Sequence, residues 1–62
     1  MVSAAKVSQF LEGINFPADK KQIIDYTRDN NAPQDVLNVL QQMPEGKYYS
    51  VAGVLESIGR AA

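Results

Sequence analysis

Apolar residues recur at helical spacing four times along this chain, and a proline or glycine stands at nearly every break between the repeats. Val7, Phe10, Leu11 and Ile14 lie at i, i+3, i+4 and i+7. Val36, Val39, Leu40 and Met43 repeat the spacing, as do Val51, Val54, Leu55 and Ile58, while Ile23, Ile24 and Tyr26 with Thr27 make a shorter stripe. That period puts one apolar face on each of four amphipathic helices. No segment sustains a period of two. Tyr48 to Val51 reads as a short extended piece, but a lone strand has nothing to pair with. The expected fold is therefore all-α: a compact bundle of four short helices over about 3–12, 20–30, 33–43 and 50–59, forming a single domain over 1–62. Each helix is near or below the ~12–15 residues that independent helicity needs, so packing must hold them.

The breaks have their own chemistry. Ser3 is an N-cap for the first helix, and Gly13 suits a left-handed exit because it lacks a Cβ. Pro17 disfavours a helical conformation at Phe16. Asp19 and Gln22 have N-cap and N3 spacing, a capping-box signature. Asn30 and Asn31 supply the second stop. Pro33 suits the first turn of the third helix, and Asp35 beside it complements the macrodipole. Pro44 ends that helix, Glu45-Gly46-Lys47 reads as a turn, Ser50 caps the fourth helix and Gly59 marks its end. The stripes name the core: Val7, Phe10, Leu11, Ile23, Ile24, Val36, Leu40, Met43, Val51, Val54, Leu55 and Ile58.

Several of these residues also form a pattern. Leu11-Glu12-Gly13-Ile14-Asn15-Phe16-Pro17-Ala18, then Lys20 and Ile23-Ile24, resembles the opening of a small bacterial family catalogued as domain of unknown function 2795. The second half agrees: Ala32, Val36 and Leu40, then Met43-Pro44, the Tyr48-Tyr49 pair, Ser50-Val51 and Val54. The resemblance runs from about Val7 to Ile58. It implies a small stand-alone or fused bacterial domain and brings no catalytic residue, cofactor or metal ligand. The family pattern has Ala where Thr27 stands and an acid where Gly53 stands.

Composition removes much chemistry. The 62 residues contain no His and no Cys, which excludes Ser-His-Asp and Cys-His catalysis, zinc fingers and disulfides. Ser8, Ser50, Ser57 and the lysines leave a Ser-Lys nucleophile formally open. A chain that buries only about 60 % of its unfolded surface has little room for a water-excluding pocket as well as a core. Asp25 and Asp29, one turn apart, supply too few oxygens for Ca²⁺ or Mg²⁺. The longest apolar run, Val51 to Leu55, is far short of the ~20 residues of a membrane span. The first six residues lack the charged and apolar regions of a secretory signal. No Cys fits the cytoplasm. The expectation is a non-enzymatic chain with no cofactor, no small-molecule substrate and no membrane contact.

What remains is the surface. Adjacent residues seldom both face a core, so one ring of Tyr48-Tyr49 should be buried and one exposed. Tyr26, Leu37, Tyr48 and Tyr49 are the candidate contacts for a protein partner or for self-association, since exposed Tyr is common in binding hot spots. The alternative is a nucleic-acid accessory domain, with the second and third helices drawn as a helix-turn-helix and Lys20, Lys21, Arg28, Asn38 and Gln42 as contacts. Against it stand six Lys or Arg against seven Asp or Glu, a net charge of −1. Non-specific affinity for nucleic acid comes mainly from neutralised phosphates.

Overall fold

A computed structural model describes the backbone of residues 2–61 and the side chains of residues 2–59. Its radius of gyration, 10.0 Å, is close to the ~10.5 Å of a compact chain of this length. Four helices form: α1 (Ala4–Phe10), α2 (Lys20–Asp29), α3 (Gln34–Gln41) and α4 (Val51–Ala61). α2 packs chiefly on α3, and α1 on α4.

The helix ends follow their caps. Ser3 Oγ accepts from the Lys6 N–H at 3.1 Å and opens α1. The chain then tightens into i→i+3 bonds, Leu11 N–H to Ser8 and Glu12 N–H to Gln9, so α1 stops short of the expected residue 12. Gly13 takes φ +83°. The Asp19 carboxylate accepts from the Gln22 N–H, and the Gln22 side chain accepts from the Asp19 N–H, both at 2.8 Å, a complete capping box. α2 ends in a Schellman motif with Asn31 at φ +64°: the Asn31 N–H donates to Arg28 and the Ala32 N–H to Thr27. Pro33 is the N-cap of α3 at φ −66° and ψ 160°, one residue outside the first turn expected for it. α3 closes at Gln41 rather than 43 because Pro44 disfavours a helical conformation at Met43. Ser50 Oγ accepts from the Gly53 N–H at 3.1 Å and opens α4. Gly59 does not end that helix: it lies outside the left-handed region, and α4 continues to Ala61.

The fold is not purely α-helical. β1 (Ala18–Asp19) and β2 (Lys47–Tyr48) pair antiparallel, with Ala18 opposite Tyr48 and Asp19 opposite Lys47. The extended piece at Tyr48 therefore has a partner, Ala18, thirty positions earlier in the chain. Two-residue strands leave no alternation to read, so the pairing is visible only in three dimensions. It ties the α1–α2 connection to the α3–α4 connection. Because side chains alternate along a strand, Ala18 and Tyr48 turn inward while Lys47 points out.

The core is Val7, Leu11, Ala18, Ile23, Val36, Leu40, Met43, Tyr48 and Val54. Phe10, Ile24, Val51, Leu55 and Ile58, expected at its centre, pack against it half-buried. Phe16 does the same beside the cis Phe16–Pro17 bond. Leu37 and Thr27 are buried too, the Thr27 hydroxyl donating to the Ile24 carbonyl at 3.0 Å. Among the described residues no buried side-chain nitrogen or oxygen lacks a hydrogen-bond partner.

Candidate functional site

The four candidate contact residues do not form one surface. Tyr48 is 9 % exposed, and its hydroxyl donates to the Pro44 carbonyl across the turn that leads into β2. Leu37 is 8 % exposed. Both leave the candidate surface for the interior. Tyr26 is half-buried, and its hydroxyl donates to the Glu12 carbonyl, closing the α1 exit onto α2. Tyr49 alone presents a free ring. It is 72 % exposed, the one exposed large hydrophobic side chain among the described residues. Its exposure follows from Tyr48: with that ring turned into the core, the next residue points the other way.

The candidate nucleic-acid contacts divide. Lys20, Lys21 and Arg28 come together around a cavity of about 270 Å³, with Ile24, Asp25, Gln41 and Glu45 completing the lining. It lies between α2 and the C-terminal end of α3, with Glu45 of the turn before β2 at its open edge. Five of the seven lining residues stand on α2, with 20, 24 and 28 at every fourth position along one helix face. Glu45 and Gln41 arrive only through the tertiary fold. Asn38 and Gln42 do not line this cavity. Asn38 instead accepts from the Gln34 side chain at 2.9 Å.

The electrostatics of the groove are mixed. Lys21 Nζ stands 3.0 Å from Asp25 Oδ2, Arg28 Nη1 3.7 Å from Asp25 Oδ1, and Lys20 Nζ 3.8 Å from Glu45 Oε1. A fourth pair, Lys6 with Asp35 at 3.5 Å, joins α1 to α3. Each cation of the groove thus has a carboxylate within 4 Å, and the field offered to a phosphate backbone is weakened accordingly.

The Ser8 hydroxyl donates to the Ala5 carbonyl and Ser50 Oγ caps α4, so both are engaged by backbone. Among the described residues no group of three or more His, Cys, Asp or Glu side chains is arranged to hold a metal ion. No helix among them is long and apolar enough to cross a membrane.

Comparison with known families gives one match: a family model described as "Protein of unknown function (DUF2795)" covers residues 2–55. That span takes in α1, both strands, α2, α3 and the first half of α4. Neither the curated proteins nor the solved structures supply a match.

Proposed function

The chain belongs to this family of unknown function, and from that premise we propose that it is a non-catalytic helical module that binds a protein partner or a second copy of itself. The observation that carries the reading is Tyr49. A ring left 72 % exposed on so small a body contributes nothing to the core, while Tyr is enriched where proteins bury surface against one another. The lack of His and Cys, and the engagement of Ser8 and Ser50 by backbone, support a role without catalysis. A chain without Cys suits the cytoplasm, which we propose as its setting.

The test is affinity capture from the source cell with the native chain and with Tyr49→Ala, alongside sedimentation to follow self-association. The expected result is loss of the partner, or of the dimer, at unchanged thermal stability. The same partners and the same mass from both chains would overturn the proposal.

The grouping of Lys20, Lys21 and Arg28 supports a second reading, nucleic-acid binding on the α2–α3 face, with Asn38 and Gln42 outside the groove. Retardation of random duplex DNA at low salt, relieved by salt, is its signature. Unchanged DNA mobility with micromolar protein would remove it.

A further inference from the structure

We propose that the groove between α2 and the C-terminal end of α3 is a carboxylate-binding site, with Lys20 as its anchoring cation and Glu45 as a built-in competitor. The Lys20 side chain keeps only 19 % of its exposure. The covered part holds the aliphatic stem against the fold and leaves the ammonium a narrow range of positions at the groove. Its partner in the fold stands at 3.8 Å, outside the ~2.7–3.2 Å of a hydrogen bond to nitrogen. That partner is loosely held: the Glu45 side chain is 86 % exposed, on the turn beside Gly46. An incoming carboxylate can approach Lys20 more closely than Glu45 does and displace it into solvent.

The rest of the lining defines the ligand. Three cations and two carboxylates leave the site with a net charge of +1. With Glu45 displaced the lining keeps three cations against Asp25, and a carboxylate on a stem also reaches Ile24, a contact that inorganic phosphate lacks. Ile24 supplies an aliphatic wall for a short stem, and the Gln41 amide an N–H donor. A cavity of about 270 Å³ is near the lower end of small-molecule sites, so it takes a carboxylate on a few methylenes. An acidic side chain of a partner and a free short dicarboxylate share that chemistry. The site is independent of Tyr49, and either assignment can fail without the other.

The experiment is an amide NMR titration of the whole 62-residue chain at constant ionic strength. Its probes are glutarate, the blocked peptide acetyl-Ala-Glu-Ala-amide, and inorganic phosphate as the control. Saturable shifts are expected at Lys20, Ile24, Arg28, Gln41 and Glu45. Glu45→Gln should tighten binding about threefold and Arg28→Gln weaken it about threefold, the scale of an exposed charge pair. Lys20→Met should weaken it about tenfold, the scale of a hydrogen bond to a charged group. Glu12→Gln, remote from the groove, should change nothing. If Lys20→Met does not fold, the exposed positions Glu45 and Arg28 still decide the matter. Tighter binding of the peptide identifies a partner's acidic side chain, and tighter binding of glutarate a free dicarboxylate; both support the site. Shifts that never saturate, phosphate binding as tightly as glutarate, or an unchanged affinity in Glu45→Gln would overturn it.

Discussion

Gly13 shows how much a single residue can fix in so small a fold. At φ +83° an L side chain is strained, and a Cβ there would stand 2.9 Å from the Tyr26 hydroxyl. That hydroxyl is already committed to the Glu12 carbonyl, so it cannot move aside without giving up the bond. Gly13→Ala should therefore cost about 2 kcal/mol, combining left-handed strain with the lost contact. For a chain of this size that lowers the melting temperature by roughly 8–16 °C in a circular-dichroism melt. Gly46→Ala, with φ +141° but open space around its Cβ, should cost less. Gly13 was legible in the sequence as a helix exit. Its second constraint was not, because Tyr26 lies thirteen residues away and only the tertiary fold brings its hydroxyl to the loop that follows α1. The Tyr48-Tyr49 pair was legible to the same degree: adjacency predicts one ring in and one out, but which one depends on the strand pairing. Leu37 failed because a residue widening a helical stripe reads equally well as covered or exposed until its neighbour helix is in place.

Helices and turns are set by their caps, and most caps could be read locally. Asp19 and Gln22 satisfy each other's backbone N–H groups across the first turn of α2. Asp19→Ala should lower stability by about 1 kcal/mol, measured by urea unfolding. Lys21→Ala, which breaks only an exposed pair within the same helix, should leave it nearly unchanged. α4 offers the opposite change. Ser50 caps it with no acid at the third position, where Gly53 stands and an added Cβ would make only ordinary contact with Ser50 Oγ at 3.5 Å. Gly53→Glu completes a capping box, removes a flexible residue and complements the helix dipole. It should raise stability by about 1 kcal/mol in the same assay; no gain would mean that α4 does not begin as described. The β1–β2 ribbon was not legible at this scale. Two-residue strands carry no periodicity, and their register follows from where α1 and α3 end.

At the scale of the molecule, interior and surface have separate tasks. Among the described residues every large apolar side chain except Tyr49 is buried or half-buried, and the buried polar atoms are satisfied. What is left outside is one exposed aromatic ring and a groove of mixed charge. Of that groove the sequence offered Lys20, Lys21 and Arg28 as cations of one helix, and it assigned Ile24 to the core. The addition of Gln41 and Glu45 depends on how α3 closes against α2 and how the chain turns before β2. Tyr48 and Tyr49 mark the boundary between the two tasks. Tyr48→Ala should cost about 3–5 kcal/mol, since it empties a core position, and unfold much of the population at 37 °C. Tyr49→Ala should change stability by less than about 0.5 kcal/mol, as surface substitutions do.

The most direct test of the central claim is therefore affinity capture with Tyr49→Ala protein whose melting temperature has first been shown to equal that of the native chain. The account predicts a folded protein that no longer retains its partner or its second copy. A folded Tyr49→Ala chain that captures the same partners in the same yield would contradict it.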